Sequence, residues 1–404
     1  MIALISEILC CSGSAACSCI CGVCQRRFGT NWQQQVKLGY IGLSLAYFGL
    51  GVLSIAVGPS INLKLAEVDC DNEDEKCFGK NTVHRISFAL GSFHILMIVV
   101  SLVGGKFQEV LEQGCWFLKF LSIFALLFLS FFIPNKYFDW FFICSILFGI
   151  GFLLSQTIIL IDFAYKWNES WVENYENNLQ SSFWPFCLIT ATGVLWVMVS
   201  ITTLANFIYF QCESSVIITL IVLVISVGLA VLSSSSWIEH GSLLTSSFLA
   251  FALNYLNFSA LASQPEDICN SWETSDQNYI LITVDLGLSL VTLVYFAFKP
   301  EDTQEEPALP MLEMAQLSGS PTSPYSNSSD SKQKTSESAA QFHTLMMAFG
   351  MSIGLLLSNW GLEGGWRSYM SFGVRESQVL LISLLFLWSL LAPKCCPERD
   401  FDLN

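Results

Sequence analysis

The sequence predicts an all-α, polytopic integral membrane protein of 10–11 transmembrane helices, one of them long and tilted. Three observations carry that prediction. The first is composition: the chain has 404 residues, 53% hydrophobic and 13% charged, with a mean hydropathy of +0.55, whereas a soluble domain is about one-quarter charged. The second is the recurrence of apolar runs of span length between polar or Pro-bearing breaks. The third is one over-long run, F-D-W-F-F-I-C-S-I-L-F-G-I-G-F-L-L-S-Q-T-I-I-L-I, which begins at Phe138 and continues through Asp162 to Tyr165. Its about 28 residues make roughly 42 Å of helix at 1.5 Å per residue. A hydrocarbon core is about 30 Å thick, so the helix tilts by roughly 45° or projects beyond one interface. An oblique helix of that kind divides the bundle it crosses and leaves grooves open to lipid. The function is therefore expected along it.

The spans follow in order. Residues 2–24 are apolar or small, rich in Cys, Ser, Ala and Gly, with Glu7 their one charge. A signal peptide needs a basic start, so cleavage is not expected; either a small-residue packed span or an interfacial helix fits. Clear spans are expected at 36–58, ending before Pro59, at 85–104, and at 115–133, stopped by Pro134-Asn135. The long segment is fifth. After it come 183–210, 215–234, 241–263, 279–298, 342–360 and 376–392. The stretch 299–341 breaks the pattern: it carries Pro300, Pro307, Pro310, Pro321 and Pro324 amid Ser, Thr, Glu and Lys. That is the composition of a disordered loop within a single 1–404 transmembrane domain. Its serines offer phosphorylation sites and are equally the common filler of solvated chain.

Charge and cysteines set the topology. With the long loop in the cytosol, Arg26, Arg27, Lys37, Lys106, Lys119, Lys166, Lys299, Lys332, Lys334, Lys394 and Arg399 fall inside. Lys64, Lys76, Lys80, Arg85, Lys136, Arg367 and Arg375 fall outside, eleven against seven, a small positive-inside bias. Eleven spans then place the N-terminus extracytosolic and the C-terminus cytosolic. Cys70, Cys77, Cys212 and Cys269 lie in or beside outward loops, an even count in the oxidising compartment that predicts two disulfides, Cys70–Cys77 being the closer pair. Cys10, Cys11, Cys17, Cys19, Cys21 and Cys24 lack the paired C-x2-C spacing of a zinc site; packing or S-acylation is the expectation, as is palmitoylation at Cys395-Cys396.

The net charge of −15 removes nucleic acid as a partner, since nothing would neutralise phosphates. The acidic loop with Asp69, Asp71 and Glu73 alternates like a calcium loop, but Asp74 stands where the sharp-turn Gly belongs. No metal is expected there. The sequence holds no G-x4-G-K-[ST], G-x-S-x-G, H-E-x-x-H or helix-opening G-x-G-x-x-G, so neither catalysis nor a cofactor is expected, and any transport runs downhill or on an ion gradient.

What remains are polar side chains inside spans, which are expensive in hydrocarbon. Asp162 has Lys166 at i+4, so a local ion pair and a polar lining that meets a headgroup or an amino acid both stand as readings. Asp285 has no obvious local partner and is expected to face protein or water. His94 reads as a hydrogen-bonded core histidine ahead of a proton relay. Asn254, Asn257, Ser259 and Ser263 recur at helical spacing, as do Thr202, Thr203 and Asn206. Each set forms a polar stripe that is either interhelical glue or a path for a headgroup.

The segment Q-T-I-I-L-I-D-F-A-Y-K-W-N-E-S-W-V-E, residues 156–173, closely resembles the signature of the serine incorporator family. S-A-A-C (14–17), H-R-I-S-F-A (84–89), F-F-I-P (131–134), G-S-L-L-T-S-S (241–247), Y-L-N-F-S-A-L-A-S (255–263), P-E-D-I-C-N (265–270), S-N-W (358–360) and the tail L-W-S-L-L-A-P…R-D-F extend the resemblance over most of the chain. Asp285 and Ser352 depart from it, standing where apolar and aromatic residues are usual, and the family's glycosylation sequon has no clean counterpart. The resemblance implies two subdomains separated by a long diagonal helix, with a lipid-binding groove. It implies ATP-independent phospholipid scrambling, support of serine incorporation into phosphatidylserine and sphingolipids, or both; an L-serine carrier or a scaffold for serine-using lipid-synthesis enzymes is the alternative. The expected groove residues are Asp162, Trp167, Asn168, Glu169, Ser170 and Trp171, with Asn254, Asn257 and Ser259 as the polar stripe. Phospholipids are the expected partners, with serine, lipid-synthesis enzymes and a homo-oligomer open, in the plasma membrane or an endomembrane (ER, Golgi or vacuole).

Overall fold

The computed structural model describes residues 32–57, 77–103, 108, 111–112, 114, 116–177, 182–238, 241–264, 270–272, 278–299, 328–358, 360 and 369–395. Among them are ten α-helices and no strand. They are α1 (Trp32–Val57), α2 (Cys77–Val103), α3 (Trp116–Ser130), α4 (Asn135–Glu176), α5 (Phe183–Tyr209), α6 (Glu213–Ser233), α7 (Leu243–Ala262), α8 (Asn278–Phe298), α9 (Ser328–Leu357) and α10 (Tyr369–Cys395). Eight are long and apolar enough to cross a membrane. The exceptions are α3, with 15 residues, and α7, whose polar residues lower its hydropathy. The Cys-rich segment 2–24, the acidic loop and residues 300–327 lie outside the described residues, as do Cys70, Cys269, Cys396 and the side chain of Cys77. Cys212, at the N-cap of α6, is disulfide-bonded.

Helix bounds differ from the sequence reading in three informative places. The long helix starts directly after Pro134 and runs 42 residues without a break, because no proline interrupts it; W-N-E-S-W forms its last turns. Helix α9 begins at Ser328, inside the stretch read as linker, since the last helix-stopping residue there is Pro324. Helix α10 begins at Tyr369, seven residues before the expected start. That last difference moves Arg375 from a loop into a helix. Arg85 in α2, Lys119 in α3 and Arg375 are all buried, so none is a loop charge. Removing them from the tally changes eleven against seven into ten against five, which strengthens the inside bias.

The chain forms two compact units, Met1–Ser155 with Ser289–Gly364 and Gln156–Leu288 with Gly365–Asn404. Each is built on one enclosed helix. In the first unit α9 fills that role and packs closely on α2. Gly350 and Gly354, one turn apart, leave no room for a side chain: an added Cβ would sit 3.1 Å from Leu90 Cβ and 3.1 Å from His84 Nδ1, respectively. Ser87 Oγ lies 2.8 Å from the carbonyl oxygens of both Gly350 and Met351. The H-R-I-S-F-A and F-F-I-P motifs meet here too. Arg85 Nη2 donates to the Ile133 carbonyl at 2.9 Å and to Asn135 Oδ1 at 3.0 Å, and its guanidinium lies 4.3 Å from the Phe138 ring centre. One arginine thereby ties the α3–α4 turn to α2.

In the second unit α7 is buried at every position from Leu244 to Ala262 except Phe251. The outer face is the reverse. On α5, Ile189, Val194, Val197, Ile201, Leu204 and Ile208 are more than half exposed. A contiguous aliphatic surface of this kind is insoluble in water and matched to lipid tails.

Candidate functional site

The last turns of α4 carry six of the residues selected from sequence, Asp162 and Trp167 to Trp171. Its polar residues are graded in exposure: Asp162, Trp167, Asn168, Glu169 and Trp171 are half-buried and Ser170 is exposed. Lys166 pairs with Glu169 at 3.1 Å, with both side chains near 40% exposed, a contact worth little by itself. The indoles do more. Trp167 stacks on Phe163 at 5.8 Å, meets Trp171 edge-on at 5.2 Å and lies 6.0 Å from Phe248 of α7. Trp171 in turn lies 6.3 Å from Trp184 of α5. A cluster of indoles beside charged side chains is the composition of a headgroup-level belt. Thr245 Oγ1 donates to the Ala164 carbonyl at 3.1 Å, and Tyr165 Oη lies 3.1 Å from Ser389 Oγ of α10. These bonds hold the half of α4 that belongs to this unit.

The polar stripe of α7 is placed elsewhere. Asn254, Asn257 and Ser259 are fully enclosed, and Asn257 and Ser259 lie roughly 13–17 Å further along the helix than Phe248. The structure therefore does not gather the nine sequence-selected residues into one place. The stripe instead forms rungs across α5, α6 and α7. Asn254 Nδ2 donates to Ser226 Oγ at 3.0 Å and to the Ala250 carbonyl at 2.8 Å, while its Oδ1 accepts from Thr203 Oγ1 at 3.1 Å. One turn on, Asn257 Nδ2 reaches Thr219 Oγ1 at 3.4 Å. Ser215 Oγ and Gln264 Oε1, 3.4 Å apart, form the next rung. Of the two readings open to the sequence, interhelical bonding is what these contacts do.

A charged centre lies at the other end of the same unit. Arg375 Nη1 donates to Asp285 Oδ2 at 2.8 Å and to Ser259 Oγ at 2.5 Å, and its Nε to Ser371 Oγ at 3.2 Å. Tyr255 Oη lies 2.9 Å from both Asp285 Oδ1 and the Leu281 carbonyl oxygen. Asp285 does face protein, and its partner is an arginine that sequence reasoning had placed outside the membrane. The signal that could have found it is the run Y-M-S-F-G-V-R-E-S before the last apolar stretch, which holds no proline and continues that helix backwards by two turns. An ion pair inside a membrane helix is costly enough to mark a functional site by default.

The first unit has its own polar cluster. His94 Nδ1 of α2 and His343 Nδ1 of α9 lie 3.2 Å apart, so His94 is hydrogen-bonded in the core. Tyr40 meets His343 edge-on at 4.8 Å. Lys119 Nζ donates to the Glu112 carbonyl at 2.6 Å and sits 4.5 Å and 4.0 Å from the ring centres of Tyr40 and Trp116, a buried ammonium held on two π faces. The Glu112 carboxylate accepts from Ser101 Oγ and Gln108 Nε2 at 2.7 and 3.0 Å. Among the described residues no group of three or more His, Cys, Asp or Glu is arranged to hold a metal ion.

Long apolar helices with aliphatic outer faces, a buried ion pair and an indole cluster at one helix end define a multi-pass α-helical integral membrane protein with polar side chains inside its helical units. Comparison with known proteins gives the lineage. A family model described as serine incorporator matches residues 9–399, and the chain belongs to that family. It is 23% identical to serine incorporator 5 of Rattus norvegicus over 98% of each chain. To a probable serine incorporator of Dictyostelium discoideum it is 27% identical over 74% of each. With membrane protein TMS1 of Saccharomyces cerevisiae it shares 33% identity over 47% of this chain and 43% of the relative.

Proposed function

We propose that this protein handles membrane lipid, letting phospholipid headgroups cross the bilayer along polar side chains while the acyl tails stay in hydrocarbon, with no ATP and no covalent step. The observation that carries the reading is α4. At 42 residues it makes roughly 63 Å of helix against a core of about 30 Å. Its final turns exchange aliphatic residues for Asp162, the indoles, Asn168 and the Lys166–Glu169 pair. A polar surface at the bilayer boundary lowers the desolvation cost that keeps a headgroup from entering.

The test is a liposome assay on purified full-length protein without nucleotide. Outer-leaflet fluorescent phospholipid is bleached by a membrane-impermeant reductant, and scrambling carries the loss past the outer-leaflet half. Asp162→Ala and Asn168→Ala should slow that second phase; unchanged rates would remove the end of α4 from the path. The relatives' name supports a second reading, a serine carrier or a scaffold for serine-using lipid synthesis. Under that reading liposomes accumulate labelled serine and bleaching stops at half.

A further inference from the structure

We propose that Arg375 and Asp285 form a binding site for a zwitterion, an ammonium joined to an oxyanion, enclosed by α7, α8 and α10. A purely structural ion pair would use its hydrogen-bonding capacity inward. Arg375 uses only part of it: Nε and Nη1 are committed to Ser371, Ser259 and Asp285, while Nη2 makes no hydrogen bond with any described residue. The site is not sealed, the two side chains being 9% and 11% exposed. An open pair of N–H groups on a fixed guanidinium is built to receive a carboxylate or phosphate oxygen.

Charge balance decides what accompanies that oxygen. Arg375 and Asp285 already neutralise each other. A bare anion would leave uncompensated negative charge in a low-dielectric interior, which is strongly disfavoured. A ligand that brings its own ammonium keeps the site neutral: its oxyanion takes Arg375 Nη2 and its ammonium faces the Asp285 carboxylate. Tyr255, by holding Asp285 Oδ1 at 2.9 Å, fixes the carboxylate before any ligand arrives, so little ordering remains on binding. Both a phospholipid headgroup and a free amino acid carry this chemistry. The inference rests on the lipid-handling reading only in taking the headgroup as first probe.

The experiment is native mass spectrometry of the full-length protein in detergent with three probes: short-chain phosphatidylcholine, short-chain phosphatidylglycerol and free serine. Wild type should retain phosphatidylcholine and not the anionic phosphatidylglycerol. The doubly substituted Arg375→Leu/Asp285→Leu protein should lose that adduct by about tenfold or more, the scale of a lost charge-assisted bond. Arg375→Lys keeps the charge and the reach to Asp285 but removes Nη2; it should fold and lose the adduct likewise, which keeps the test decisive if the double variant does not fold. Equal retention by wild type and Arg375→Lys, or equal binding of the two lipids, overturns the proposal. Displacement of phosphatidylcholine by serine would identify a free amino acid as the natural source, and its absence a lipid headgroup. Arg375-dependent adducts without scrambling would sink the proposed function alone; scrambling without such adducts would sink this inference alone.

Discussion

Gly350 offers the sharpest test of how the first unit is built. A methyl group there would lie 3.1 Å from Leu90 Cβ and 3.4 Å from both the Gly91 nitrogen and the Leu90 carbonyl carbon, atoms of α2 that cannot rotate away. Ordinary carbon contacts begin near 3.5 Å, so even alanine separates the two helices by a few tenths of an ångström. Its better helix propensity, about 1 kcal/mol over glycine, offsets much of that cost. Isoleucine adds branches with nowhere to go. It should cost about 1–3 kcal/mol by overpacking, with the Ser87 hydrogen bonds to the Gly350 and Met351 carbonyls stretched from 2.8 Å. At roughly 2–4 °C per kcal/mol for a unit of this size, Gly350→Ile should lower the melting temperature in detergent by several degrees at fixed scan rate. The control is Gly193→Ile in α5, where nothing lies within 4 Å of the added atom. The reasoning is refuted if Gly350→Ile melts with wild type, or if Gly193→Ile loses as much.

Three further outcomes follow from the same coordinates. Arg375→Leu alone strands Asp285 in the protein interior and should cost about 3–5 kcal/mol, whereas adding Asp285→Leu should recover most of it; melts of the single and double variants in one detergent decide this, and no recovery would mean the pair is not the relevant partner set. Asn254→Leu removes two hydrogen bonds to neighbouring helices and one to its own helix; at roughly 0.6 kcal/mol for each contact between membrane helices the two interhelical bonds make the loss about 1 kcal/mol, checked by the same melt. Cys212 is disulfide-bonded while Cys144 and Cys187 are free, so alkylation of denatured protein should label those two at once and Cys212 only after reduction. Cys269, the remaining candidate outside the acidic loop, should appear linked to Cys212 in a non-reduced digest; a Cys212 thiol labelled before reduction would contradict the bond.

The fold was legible wherever hydrophobicity alone determines the answer, and illegible where burial by neighbours replaces it. Helix α4 could be read because its aliphatic run is too long for one perpendicular crossing. Helix α7 was read correctly as a helix, but its use was not determined by its sequence. A helix with asparagines and serines on one stripe looks the same whether that stripe faces a wet groove or other helices. What decides is the aliphatic surface of α5 and α6, which turns Ile189, Val197 and Val224 outward and leaves Thr203, Thr219 and Ser226 to meet α7. That division appears only when three helices are considered together. Arg375 failed for a related reason. Hydropathy averages a charge into the nearest loop, yet an arginine whose guanidinium finds a carboxylate and two hydroxyls on neighbouring helices can sit well inside one. Gly350 and Gly354, by contrast, were visible as a small-x-x-x-small spacing that the reading by apolar runs passed over, because glycine counts for little in a hydropathy sum and for a great deal where two backbones touch. The residues most open to misreading from sequence are thus those whose role is set by a partner helix. In this protein they include both the charged pair proposed to bind a ligand and the glycines that let α2 and α9 meet.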